Sequence, residues 1–208
     1  MSVEFDWKVL LLGGHSGTGK TTAARVLAQH FGVALAQVDD FRLVLEQTST
    51  PEQQPTLHAL LDVQAEDAVP ETRCAALIAA AQTVSQALEV VVAHHVATDR
   101  PTILEGDGIT PAFAARNFFF NLNVPVGAVR AVFLIEDDEA RLLRSALERG
   151  RGFESLPRAR QQRQVRQSWL YGQWLKREAL CYGLPVVISQ PWETLPERIL
   201  KTLRETGL

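Results

Sequence analysis

The stretch Gly14-His15-Ser16-Gly17-Thr18-Gly19-Lys20-Thr21 decides the fold. It fills every fixed position of G-x-x-x-x-G-K-[ST]. An apolar run over residues 9–12, read as a buried strand, precedes it, and a helical pattern over residues 21–31 follows, with apolar Ala24, Val26, Leu27 and Phe31. Strand, glycine loop and helix in that order make a phosphate cradle. Gly14, Gly17 and Gly19 let the backbone curl and bring its N–H groups against phosphate oxygens with no side chain in the way. The amino end of the helix adds positive potential at the same spot. Lys20 then sets its ammonium on the β- and γ-phosphates, and the Thr21 hydroxyl holds the Mg2+ that bridges them. Residues 14–22, with His15, Ser16, Thr18 and Thr22 among them, hold the nucleotide phosphates, while the His15 side chain, at a variable position of the loop, is read as a spectator.

Beyond the loop, apolar runs alternate with helical patterns. Residues 33–38 read as a second strand ending at Asp39 and Asp40, residues 75–98 as a long helix, and residues 101–104 as a third strand ending at Glu105. Residues 129–135 and 185–188 read as further strands, and residues 139–149, 165–182 and 196–206 as helices. The alternation predicts an α/β, three-layer P-loop NTPase fold: a five-stranded parallel sheet with helices on both faces, in a single domain over residues 1–208. Residues 43–75 are expected to form an insertion on the acceptor side, and residues 141–166 an arginine-bearing helical lid. Ligands of such sheets bind beyond the carboxyl ends of the strands, where Gly14, Asp39, Glu105 and Glu136 project.

Composition narrows the function classes. A hydrophobic fraction of 46% over 208 residues suits one ordinary core, and a net charge of -3 gives no basic excess for nucleic acid. Cys74 and Cys181 are far apart with no C-x-x-C or histidine companion, which argues against a disulfide framework or a zinc site. No run approaches the ~18 apolar residues of a membrane helix. The start of the chain carries Glu4 and Asp6 where a signal peptide is cationic. A soluble, cytoplasmic monomer or homodimer without a membrane or nucleic-acid partner is expected.

The strand-end residues carry the chemistry. Asp39, at the end of the second strand, is placed to orient an acceptor hydroxyl and take its proton; the alternatives are Asp40 in that role, or an N-cap for the next helix. Arg42 suits a phosphate or carboxylate on the acceptor, because its planar fork binds such groups bidentately, or else lies on the surface. Glu105 is the candidate for binding Mg2+ directly or through water, with Asp107 competing for the metal or the acceptor. Arg141, Arg144, Arg149 and Arg151, followed by Arg158, Arg160, Arg163 and Arg166, are read as the lid that closes over a triphosphate, with Arg144 and Arg149 its catalytic candidates; solvated helices are the plainer alternative. Arg116 is a further candidate for an anionic acceptor, and Phe118-Phe119-Phe120 reads as core packing. Adjacent His94 and His95 face different ways on a helix and make no metal pair. Trp192 either covers a nucleotide base or packs on the last helix.

These motifs together resemble the 2-phosphoglycerate kinase type of P-loop kinase, and more distantly the zeta-toxin, gluconate and chloramphenicol kinases. The resemblance rests on GHSGTGKTT, on Asp39-Asp40-Phe41-Arg42 (similar to D-x-[IF]-R), on ILEGDGITP at residues 103–111, and on residues 179–188, similar to an A-x-x-x-G-x-P-V-I ending. It implies an ATP- and Mg2+-dependent kinase of a small, anionic, hydroxylated metabolite, with Asp39 and Arg42 serving the acceptor. The chain departs from the pattern where Asp107-Gly108-Ile109 stands in place of a histidine-bearing segment, and residues 48–70 have no counterpart. An NTPase or nucleotide switch that drives a macromolecular partner, and a zeta-toxin-like kinase of a nucleotide sugar, are the alternatives.

Overall fold

The structure is a computed structural model that describes residues 5–65, 68–150 and 152–206; Glu4 and Arg151 lie outside the described residues. Five parallel strands form the central sheet: β1 (Val9–Gly14), β2 (Ala34–Gln37), β3 (Thr102–Gly106), β6 (Val129–Ile135) and β7 (Val186–Ile188), in the order β2-β3-β1-β6-β7. The two flanking strands of β1 fix its register, Leu12 lying beside Glu105 on one side and Val132 on the other. The expected sheet is therefore present, and the carboxyl ends of its strands share one edge.

Side-chain alternation along β1 feeds a core on each face. Val9 and Leu11 join Phe133 and Ile135 in one core, closed by α4 (Pro70–Ala97) and α7 (Arg158–Cys181). Leu10 and Leu12 join Val132 and Leu134 in the other, under α1 (Lys20–Phe31) and α8 (Leu195–Glu205). Fully burying each such leucine stabilises the fold by about 1.5–3 kcal/mol. The turn from β1 into the loop needs glycine at position 14, where φ is 146° and a Cβ would collide with the Leu134 carbonyl oxygen.

The structure corrects several expectations. The second strand stops at Gln37, and Asp39 falls in the first turn of α2 (Val38–Thr48), whose N-cap is Gln37; neither Asp39 nor Asp40 caps the helix. The segment 48–70 contributes another helix, α3 (Pro55–Ala65), packed on α4. Of Phe118-Phe119-Phe120, only Phe119 is buried. The other two are exposed on a short hairpin that follows α5 (Pro111–Ala114), in which β4 (Phe118–Phe119) pairs with β5 (Leu122–Asn123) and Phe120 lies in the turn. Helix α4 is also long enough, and over an 18-residue window apolar enough, to cross a bilayer by length and composition alone, against the expectation that no segment would be. Its Ala80, Ala81, Val84, Leu88 and Val92 are buried in the core of this fold. The remaining helix, α6 (Glu139–Glu148), is capped by the Asp138 carboxylate, which accepts from the Ala140 and Arg141 N–H groups.

Candidate active site

The glycine loop curls around the amino end of α1, with Gly19 in a left-handed conformation as its N-cap. Lys20 Nζ donates to the carbonyl oxygen of His15 at 2.9 Å and to Asp107 Oδ1 at 2.6 Å, and the side chain is 7% exposed. A cation so enclosed is held in place for an anion arriving in the loop. Thr18 Oγ1 donates to the same His15 carbonyl, which shapes the curl. One position further along, Thr21 Oγ1 donates to Glu105 Oε1 at 2.8 Å. Burial raises the Glu105 carboxyl above its ordinary value, against the lowering by its Thr21 hydrogen bond and by Lys20.

This hydroxyl–carboxylate pair fits Mg2+, which takes few protein ligands and keeps water and phosphate oxygens for the rest. Among the described residues there is no group of three or more His, Cys, Asp or Glu side chains that would form an all-protein metal cage. Asp107, two residues beyond Glu105, is held instead by Lys20, and its carbonyl oxygen accepts from the Tyr171 hydroxyl.

Two cavities meet at the loop. The first, of about 540 Å3, runs along residues 16–23 and is bounded by Arg25, Gln37, Glu105 and Trp192. The second, of about 500 Å3, lies between α2, α4, α6 and α7 and is walled by Arg42, Arg73, Leu77, Leu142, Arg160, Gln164 and Val165. Ser16, Gly17, Asp39, Asp107 and Arg149 line both. Asp39 thus stands where the two open on each other. Burial raises its carboxyl above the ordinary aspartate value, the Asp107 charge raises it further, and Arg42 and Lys20 oppose. Arg42 is fixed by an i,i+4 ion pair to buried Glu46 at 2.9 Å.

A third cavity, of about 480 Å3, lies between α6 and residues 190–193; Arg141, Arg144, Ser145, Glu148 and Trp192 border it. Trp192 lines this cavity and the loop cavity, and a Cβ on Gly19 would come within 3.2 Å of its indole. Its indole packs partly against the α1–α8 core, so it borders the loop cavity and packs beside the last helix at once.

The basic segment therefore divides. Arg149 borders the loop and Arg160 the second cavity, whereas Arg144 faces the third. Arg141 lies near Glu136 and Asp138; Arg166 pairs with Glu139 and stacks over Trp169 at 4.5 Å. Arg116 lies away from all three cavities, in an ion pair with Glu89 of α4 and over the Phe113 ring, so the structure does not bring it to the site. His15 also departs from expectation. Its ring is fully buried, accepts at Nε2 from the Glu136 N–H at 3.0 Å, and abuts Gly172 of α7. Burial, helped by Lys20, lowers its pKa to about 4, so the imidazole is neutral. Arg73, which walls the second cavity, carried no sequence signal: an arginine near the start of a long helix has no motif to set it apart.

No protein-family model matches the chain, and no curated protein matches its sequence. Solved structures do. It is similar to a sugar kinase from Janibacter sp. HTCC2649, at 20% identity over 97% of this chain and 96% of that one with a TM-score of 0.55. It is similar also to the shikimate kinase from Acinetobacter baumannii in complex with shikimate, at 12% identity over 97% and 96% of the two chains with a TM-score of 0.54. At these identities the likeness is one of fold: the chain has the α/β P-loop fold that these two kinases share.

Proposed function

We propose that the protein is an ATP-dependent kinase that transfers the γ-phosphoryl group to a hydroxyl of a small anionic metabolite. The observation that carries this reading is the junction of the two cavities at Asp39, Asp107 and Arg149, directly beside the phosphate loop. A nucleotide along residues 14–22, its base toward the cavity of Arg144 and Trp192, would direct its terminal phosphate to that junction. An NTPase has no need of a second, walled cavity there.

The chemistry follows from the residues present. When bound, Mg2+ supplies charge neutralisation between the β- and γ-phosphates, and Thr21 and Glu105 are the groups that would hold it. Asp39 orients the acceptor hydroxyl and receives its proton as the new P–O bond forms; the raised affinity of its carboxyl for a proton helps that step. Lys20 and Arg149 offset the charge that builds on the transferred group. The acceptor cavity is lined by Arg42, which is paired with Glu46, and by Arg73, Arg149 and Arg160, beside the carboxylates of Asp39 and Asp107. Guanidinium forks along one wall suit the oxygens of a carboxylate or phosphate, which supports an anionic acceptor such as a phosphoglycerate or a sugar acid. Release of ADP from Mg·ATP across a panel of hydroxylated acids tests the reading: one acceptor stimulating turnover supports it, and equal turnover with and without every acceptor refutes it.

A further inference from the structure

The side chain of His15 lies at the centre of contacts that phosphate binding alone does not need. Its ring forms no wall of the cavities and sits between the end of β6 and helix α7. Because Nε2 accepts from the Glu136 N–H, Nδ1 carries the proton of the neutral ring and faces the Ser16 carbonyl at 3.1 Å and Ser168 Oγ at 3.2 Å. Ser168 Oγ in turn donates to the Ser16 carbonyl at 2.8 Å. A Cβ on Gly172 would collide with the ring, so α7 is seated directly on it. Strand, loop and helix are tied through one imidazole.

The backbone of the same residue meets the catalytic cation. Lys20 Nζ bonds the His15 carbonyl and Asp107 Oδ1, and both of these residues are fastened to α7: His15 through Ser168 and Gly172, Asp107 through Tyr171. Helix α7 supplies Arg160, Gln164, Val165 and Ser168 to the acceptor cavity. We infer that His15 is a positioning residue that couples the nucleotide loop to the acceptor-side helix, so that a phosphate that orders the loop also orders α7 beside the acceptor cavity. The inference rests on the kinase reading. The ring acts as an uncharged hydrogen-bonding spacer. A protonated imidazole would turn an N–H against the Glu136 N–H, and burial keeps that form from being populated near neutrality.

Amide hydrogen exchange of α7, with and without Mg·ADP, tests the coupling in the full-length protein and in His15→Phe, His15→Gln and Ser168→Ala, with ADP affinity measured alongside by calorimetry. Gln keeps an acceptor for the Glu136 N–H, Phe fills the volume without one, and Ser168→Ala breaks the bridge at the surface of the helix, where folding is not at stake. Mg·ADP is expected to slow exchange in α7 by about threefold or more in the wild type and in His15→Gln, and by clearly less in His15→Phe and Ser168→Ala compared at equal ADP occupancy, because only the Asp107–Tyr171 tether remains in them. Equal slowing in Ser168→Ala and the wild type, or none in a wild type that binds Mg·ADP, would overturn the coupling alone. A wild type that binds no Mg·ADP would overturn the kinase reading and this inference with it.

Discussion

Thr21 Oγ1 donates to Glu105 Oε1 at 2.8 Å, joining the first turn of α1 to the carboxyl end of β3 across 84 positions of sequence. Each residue is ordinary alone; paired beside Lys20 they are the hydroxyl and carboxylate that the proposed kinase reading assigns to Mg2+. Glu105→Gln removes the charge and keeps the shape. The Mg2+ concentration that gives half-maximal ADP release is expected to rise by about 10–100-fold, and an unchanged Mg2+ titration would remove Glu105 from the metal site.

Lys20, to which the proposed reading gives the charge at the phosphates, is held by the His15 carbonyl and Asp107. Lys20→Ala should lower acceptor-dependent turnover by about 10³-fold or more, measured as ADP release at saturating Mg·ATP.

Asp39 separates chemistry from binding. Asp39→Asn should lower kcat by about 10²–10⁴-fold and leave nucleotide affinity close to the wild-type value. The same substitution has a stability consequence with a definite sign. Burial first, and Asp107 second, raise the Asp39 pKa in the folded protein. An acid raised on folding favours the folded state at low pH, and that contribution is lost as pH rises through the folded-state value. At neutral pH the wild type therefore holds an unfavourable carboxylate. Thermal unfolding should show Asp39→Asn the more stable at pH 7, with the advantage shrinking as the pH is lowered through the raised pKa.

His15 gives the opposite dependence. Its pKa falls from 6.5 to about 4 on folding, so its stabilising contribution is complete above 6.5 and is lost as pH falls through 4. The full loss amounts to about 3 kcal/mol. Urea unfolding of the wild type and of His15→Gln at pH 7 and pH 4.5 should show the smaller pH-dependent loss in the variant, since glutamine does not titrate.

Arg144 of α6 and Arg149 at the C-cap of that helix face different cavities. Arg149→Met should lower kcat by about 10²-fold, whereas Arg144→Met should act on the KM for ATP with kcat nearly unchanged. Equal effects of the two on kcat would contradict the division.

What was legible in the sequence was what local rules decide. The loop, its flanking strand and helix, and Glu105 at the end of β3 follow from glycine placement, apolar runs and the convergence of parallel strand ends, whereas Asp39 falls in the first turn of α2 and not at the end of β2. The partner of each acid in space was not readable, because Asp107 meets Lys20 across 87 residues and His15 meets Ser168 across 153. Nor was the face that a long helix presents. Arg73 walls the second cavity, and nothing in its neighbourhood distinguishes it from Arg116, which pairs with Glu89 elsewhere. Helices α2 and α3 escaped because only packing on α4 identifies the strand-less segment as structure.

The central claim is that a phosphoryl group crosses the junction at Asp39. The most direct test incubates ATP labelled at the γ-phosphate with the protein, Mg2+ and each of the hydroxylated acids, and follows the label in wild type, Lys20→Ala and Asp39→Asn. Label passing to the hydroxyl of one acid in the wild type, and in neither variant at a comparable rate, is the predicted result. Label released only as inorganic phosphate, or transferred as fast by Asp39→Asn as by the wild type, would contradict the account.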